Sequence, residues 1–308
     1  MAEITAAAVN ALRKQTGLPL MDCKKALTET GGDTDAAVKW LRERGAQILG
    51  TRSDRETAFG RFGLYTSLDP GVGAMVELKC ESAPVAQNEE FIQLADDLAR
   101  QLALGPGADT ADKLLDQPSP SRPTMTLREQ KDELFNRIRE VFNVGRFARL
   151  AGTCGGYSHN AGTVSGVLLQ VEGGTDEAAK DVCMHIAAMR PAAMSKEEID
   201  PTLVDKEREI LREAALKEGK PANIVDKMVE GALAKFRKEK ALMSQIFVVD
   251  AKSKIEDVVA AEAKRLGTPV TIKAFARFQL GEGIARKEED FAAEVAAASG
   301  VKKAEEVS

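Results

Sequence analysis

The chain has 308 residues, 44% of them hydrophobic and 30% charged, enough for roughly two domains of ~150 residues with a sizeable core. Its formal net charge is −5 and its pI about 5.4, which excludes bulk attraction to phosphate as the basis of function, because a non-specific nucleic-acid binder carries a basic face and a high pI. Cys23, Cys80, Cys154 and Cys183 form no Cys-x-x-Cys unit and read as reduced, buried thiols, while the longest uncharged run, 151–171, holds five glycines with His159, Asn160 and Gln170 and is too polar to span a bilayer.

The N-terminal "MAEITAAAVNALRK" lacks the charged-then-apolar order of a signal peptide, so a cytoplasmic location is expected. Residues 1–45 read as three short helices. Thr5 caps the first, Val9 and Leu12 give its apolar face, and Gly17 ends it. Pro19 stands just inside the second, which Gly31-Gly32 closes. Asp33 caps the third, with Val38 and Leu41 inward and Gly45 as its stop. Residues 46–58 are polar and lose periodicity, which reads as a linker.

A β-rich segment follows. "FGLYTSL" and "GAMVELKC" flank Asp69-Pro70-Gly71, the chemistry of a hairpin turn. "NEEFIQLADDLARQL" places Phe91, Leu94, Ala95, Leu98 and Leu102 on one helix face. A Pro-rich loop over 105–123 leads to a helix whose Thr126 and Glu129 form a capping box. The order then recurs: "CGGYSH" and "SGVLLQV" form a hairpin, and "DEAAKDVCMHIAAM" is the helix behind it. The expectation is an α+β fold with duplicated core subdomains, one over 59–145 and one over 146–201 and 241–298.

Residues 202–240 differ. Two helices meet at Gly219-Lys220-Pro221, with narrow seams from Val204, Leu211 and Ala214 on one and Ile224, Met228 and Phe236 on the other. From Lys196 to Lys240 there are 11 basic and 11 acidic residues, which fits a projecting antiparallel helical hairpin with solvated outer faces. "VTIKAFARFQLGEG" gives a strand, and "EEDFAAEVAAAS" a terminal helix.

Catalytic apparatus is not legible. No phosphate-binding Gly-x-x-x-x-Gly-Lys-Ser/Thr loop occurs, and Gly281-Glu282-Gly283 reads as a turn. Cys154, His159, Cys183 and His185 are the one candidate zinc set, but Cys183 and His185, two apart on a helix, point to different sides. No metal and no cofactor are expected. Cys23, beside Lys24 and Lys25, falls between Leu20 and Leu27 on the packed side and has no histidine near it in sequence, so it reads as a core thiol. What remains is a chain suited to gripping a large partner at several points.

"LRKQTGLPLMDCKKALTETGGDTDAAVKWLRERG", "DVCMHIAAMRP", "GKPANIVDKMVEG" and "GEGIARKEEDFAAEVA" closely resemble the translation elongation factor Ts family, in order from residue 2 to about 298. The resemblance implies a guanine-nucleotide exchange factor for elongation factor Tu, acting by binding and not by bond chemistry. It implies an N-terminal module like a ubiquitin-associated (UBA-like) bundle, a pair of α/β core subdomains, and a hairpin used for homodimer or partner contact. Arg13, Met21 and Lys24 match family positions that dock on the GTPase domain of the partner. His159 matches an interface histidine, and Val248 and Val249 match an apolar pair reaching another part of the partner. One departure stands out. The family has Thr-Asp-Phe-Val after its second core strand, with the Phe wedged near the partner's magnesium site. Here Ser82, Ala83, Pro84 and Val85 occupy those places. The resemblance therefore leaves a second reading, a chaperone-like paralogue that binds elongation factor Tu but exchanges less. A ubiquitin-like or nucleic-acid-binding module is disfavoured by acidity and by the full-length match.

Overall fold

The computed structural model describes residues 4–52, 54–68, 71–219 and 221–282. The terminal helix expected after Gly283 and the turn residues Asp69 and Pro70 lie outside the described residues. The described chain is an α+β protein with two small antiparallel sheets.

Three helices open it: α1 (Ala6–Thr16), α2 (Leu20–Glu29) and α3 (Thr34–Gly50). Thr5 accepts from the Ala8 amide at the start of α1, Gly17 ends it with φ 69°, and Asp33 accepts from the Ala36 amide to start α3. Pro19 sits at the N-cap of α2, one place earlier than expected. Val9, Leu12, Leu18, Cys23, Ala26, Leu27, Ala37 and Leu41 form their shared core.

The expected stop at Gly45 is wrong. α3 runs on to Gly50, and Gly45 is buried where a Cβ would overlap the side chain of Asn136. Glycine is there because two helices approach closely, not because a helix ends. The expected polar linker, 46–58, is helical over 46–50, where Ile48 and Leu49 pack on the first core cluster. A connection of residues 51–58 remains.

The first sheet has β1 (Phe59–Tyr65), β2 (Val72–Cys80) and, after a helical excursion, β3 (Asn143–Ala151), in the order β1-β2-β3. β1 starts and stops three residues before the expected strand. β3 was missing from the sequence reading, and the boundary expected at residue 145 falls inside it. Its pattern, "NVGRFARLA", mixes arginines with a glycine because it is an edge strand paired only to β2. The excursion contains α4 (Ala83–Ala86), α5 (Glu89–Leu104), α6 (Ala111–Leu115) and α7 (Leu127–Ile138). The stretch 105–123, expected as plain loop, holds α6 and is fastened by Gln117, whose amide donates to Gly107 O at 2.8 Å, and by Arg128 on Asp112 and Asp116. The capping box at Thr126 and Glu129 forms.

The second sheet repeats the plan. β4 (Cys154–His159), β5 (Ser165–Glu172) and, far along the chain, β6 (Thr271–Gln279) pair in the order β4-β5-β6, with α8 (Asp176–Met189) following β5. Both central strands are buried on both faces, and side-chain alternation assigns the layers. Ala74, Val76, Leu78 and Cys80 of β2 join the cluster under α5, while Met75 points the other way. Val167, Leu169 and Val171 of β5 join the cluster under α8, while Leu168 meets Phe62, Met75 and Cys154 between the sheets. The result is four layers: helix, sheet, sheet, helix. A Cβ at Gly166 would stand 2.6 Å from Met75 Sδ, so the sheets meet too closely there for any side chain. Buried Glu77 receives Arg146 through both carboxylate oxygens, and Arg146 also donates to Gln279 O at 2.6 Å, fastening β3 to β6 across the layers.

Between α8 and β6 lie α9 (Pro201–Lys217), α10 (Ala222–Lys240) and α11 (Ile255–Leu266). α9 and α10 form the expected antiparallel hairpin, turning at Gly219 with φ 72°. The seam on α10 is one residue away from the expected one. Val225, Val229 and Leu233 are buried with Val204 and Ala215, while Ala214 is exposed and Ile224 and Met228 face outward. Two overlapping apolar stripes in "NIVDKMVEGAL" fit helical spacing equally well, and only the crossing of α9 selects between them.

Candidate partner-binding surface

Ser82, Ala83, Pro84 and Val85 lie where β2 gives way to helix. Ser82 is extended, and Ala83, Pro84 and Val85 begin α4, a single helical turn. Proline is tolerated in a first turn because the N–H it lacks has no partner there anyway. The turn is held from both ends. The Ser82 amide donates to one oxygen of Glu140 at 3.1 Å and its hydroxyl donates to the other at 2.6 Å. At the far end Arg61 Nη1 donates to Ala86 O at 3.2 Å. Burial pushes the Arg61 guanidinium down from its usual range, with Asp96 opposing. Next to Ser82, Glu81 accepts from the Val141 amide at 2.7 Å and pairs with Arg55 at 2.9 Å. Burial of Glu81 opposes the charge, yet these bonds hold its carboxyl below the usual range. Ala83 and Pro84 are exposed, and Val85 is half-buried against the first core cluster. Ala83 and Pro84 thus present a small side chain and a proline ring on a firmly held frame.

Arg13 is exposed in the last turn of α1, and Met21 and Lys24 are exposed on the first turns of α2, Met21 at 69%. Cys23, between them, is fully buried and lies 3.7 Å from Thr16 Oγ1. Asp22 is half-buried and accepts from Arg139 Nη2 at 2.6 Å.

His159 is exposed at the end of β4, its Nδ1 3.0 Å from Tyr157 Oη. Val248 and Val249 are exposed in the turn that follows α10 and its short 3-10 extension, 40% and 56%. That turn hangs on His185. The Val248 amide donates to His185 Nδ1 at 3.3 Å, so the ring proton sits on Nε2 and donates to Gln245 Oε1 at 2.9 Å. Gln245 in turn donates to Glu239 O at 2.6 Å. Burial pushes the His185 pKa down, with the Gln245 bond opposing. Both ring nitrogens are therefore committed within the protein. Cys154 and Cys183 are buried, and burial pushes the Cys183 thiol up and the Cys80 thiol up to about 12. Among the described residues no three His, Cys, Asp or Glu side chains gather as a metal set, and no helix is long and apolar enough to cross a membrane.

Two of the expected regions are linked through the end of α7: Arg139 reaches Asp22 between Met21 and Lys24, and Glu140 reaches Ser82. His159 and the Val248-Val249 turn stand on elements of the second half. The sequence marks none of Arg139, Glu140, Arg61 and Gln245 as supporting residues, and it offers His185 only as a candidate zinc ligand. Their partners lie between 25 and 117 positions away, so no local pattern marks them.

Comparison with known proteins places this arrangement. The family model described as elongation factor TS matches residues 69–282. Elongation factor Ts of Sphingopyxis alaskensis is 44% identical, the alignment covering 98% of this chain and all of the relative. That of Zymomonas mobilis is 43% identical over 98% of this chain and all of the relative, and that of Clostridium botulinum (strain Eklund 17B) is 42% identical over 95% and 98%. The similarity runs through the helices, both sheets and the hairpin alike, and the chain belongs to the elongation factor Ts family of translation elongation factors.

Proposed function

We propose that the protein is a guanine-nucleotide exchange factor that binds elongation factor Tu in its GDP-bound and nucleotide-free states and promotes GDP release during translation. The observation that carries this reading is similarity to elongation factor Ts relatives over nearly the whole chain, together with a firmly framed 82–85 turn next to exposed docking residues. Arg13, Met21 and Lys24 form the first contact, His159 and the Val248-Val249 pair the others, and the 82–85 turn addresses the region of the bound magnesium. The N-terminal helices act as a UBA-like docking module, the two sheet-and-helix halves as core subdomains, and the site of action is the cytoplasm. Exposed Leu203, Ile210, Ile224 and Met228 leave the hairpin an apolar outer face suited to a second copy or to the partner.

The mechanism is differential binding. A factor that holds the nucleotide-free partner more tightly than the loaded one must weaken nucleotide binding by the same ratio. Each tenfold of weakening requires about 1.4 kcal/mol of contact made only in the nucleotide-free complex. Ala83 and Pro84 favour the second reading, a binder with reduced exchange, because neither supplies the buried area of a phenyl wedge and stabilisation scales at ~25 cal/mol per Å².

Release of labelled GDP from purified elongation factor Tu decides. Acceleration by catalytic amounts of the protein is expected. Tight binding without acceleration establishes the second reading, and absence of binding removes both. Ala83→Asp with Pro84→Phe should raise the maximal release rate. A double variant no faster than the wild type would show that the wedge is dispensable in this chain.

A further inference from the structure

We propose that Arg139 and Glu140 are positioning residues that set the N-terminal helices and the 82–85 turn at a fixed mutual geometry, so that the two meet one protein partner as a single rigid surface. The inference rests on the partner-binding reading above and adds residues to which that reading assigns no role.

Three observations carry it. First, Arg139 ends α7 with φ 67°, an uncommon conformation for a non-glycine residue, and its amide donates to Phe135 O at 2.7 Å. A glycine would make the same helix end without strain. The arginine side chain instead reaches Asp22 Oδ2 at 2.6 Å, with the two side chains only 23% and 28% exposed. A shielded, charge-assisted bond of this kind is stronger and more directional than an exposed pair. Second, the carbonyl of the same residue accepts from Arg52 Nη1 at 2.7 Å, so Arg139 holds the N-terminal unit on both sides of α3. Third, the next residue, Glu140, uses both carboxylate oxygens on the amide and hydroxyl of Ser82. One planar peptide separates the two grips, so they start from Cα atoms about 3.8 Å apart and tie Asp22 and Ser82 to one short stretch of backbone.

These bonds do not hold exposed apolar surface out of water. Met21, Lys24, Ala83 and Pro84 remain exposed around them. What the bonds fix is direction. Packing of α3 on α7 and of Ile48 and Leu49 on the first core cluster keeps the N-terminal helices nearby in any case, and the Arg139 and Glu140 bonds narrow the orientations this packing allows. Only orientations that let both regions touch the partner count, and apparent affinity falls in proportion to their population. Close packing of Gly45 on Asn136 and the Arg42–Glu133 pair at 3.6 Å support the same placement from the α3 side.

The test uses the full chain with Arg139→Gly, which keeps the helix end and removes the reach, and Arg139→Lys, which keeps the charge. Spin labels on Lys25→Cys and Gln87→Cys report the mutual geometry in the free protein, the four native cysteines being buried. A narrow label distance distribution is expected for the otherwise wild-type chain and a broad one for Arg139→Gly. In GDP-release titrations Arg139→Gly should raise the half-saturating concentration about five- to tenfold with the maximal rate within about twofold, as expected when only the competent fraction changes. Arg139→Lys should recover most of that loss. An unchanged distance distribution and half-saturation in Arg139→Gly overturn the proposal, as does an Arg139→Lys variant as poor as the glycine. If the wild-type chain releases no GDP, the exchange reading fails by itself, and the label distances still judge the clamp.

Discussion

The 82–85 turn and the Val248-Val249 turn both present exposed residues, Ala83 with Pro84 and Val248 with Val249, on a support beneath, and they are held by opposite means. The first is gripped by charge: Glu140 on Ser82, and Glu81 on the Val141 amide and on exposed Arg55, with Glu81, Ser82 and Glu140 half-buried and within reach of water. The second is gripped by a neutral, fully buried ring, with His185 taking the Val248 amide on one nitrogen and Gln245 on the other. A charged grip near water is replaceable, because water can occupy a vacated site. A neutral grip in a core is not, because a lost partner leaves buried groups unpaired.

That contrast sets the order of expected effects. His185→Ala should be the most damaging change, destabilising the chain by about 3–5 kcal/mol, since it opens a cavity and strands the Gln245 carbonyl and the Val248 amide. Chemical denaturation measures it, and a loss under 1 kcal/mol would break the comparison. Glu140→Ala should cost about 1–2 kcal/mol, because water reaches the Ser82 amide and hydroxyl once the carboxylate is gone. A loss equal to that of His185→Ala would show that the 82–85 turn is as dependent on its support as a core.

Acid should separate the two grips without mutation. The folded pKa of His185 is lowered, so its contribution is complete above the unfolded value of about 6.5 and is lost as pH falls through the folded one. Protonated at both nitrogens, the ring cannot accept the Val248 amide. The carboxyl of Glu81 is also lowered, so its contribution is complete above about 4.3 and is lost only below that, as pH falls through its folded value. Amide protection factors at Val248 should therefore fall in a window below about pH 6.5 while those at Val141 persist to about pH 4.3. Loss of both in one window, or of Val141 first, would sink the distinction.

Much of this molecule is local. Thr5, Gly17, Asp33, Thr126 with Glu129, and the apolar faces of α5 and α8 are readable because caps and helical periodicity need only neighbours within four residues. The repeated hairpin-plus-helix order is readable for the same reason, since alternation is a property of each strand by itself. β3 escaped because an edge strand needs little apolar content, and the seam of α10 was misplaced because two stripes were equally spaced.

The sequence by itself determined the caps and apolar faces of the longer helices, the hairpin-plus-helix order of both halves, and the family to which the chain belongs. Tertiary structure alone decided where β3 pairs and what holds the 82–85 and Val248-Val249 turns in place. Gly45 became a packing glycine only because Asn136 lies against it, Arg139 found Asp22 across 117 residues, and His185 found Val248 across 63. The physical reason is that caps and periodicity are short-range, whereas a supporting hydrogen bond is set by where two distant elements cross, and that crossing is fixed by the burial of every other face at once.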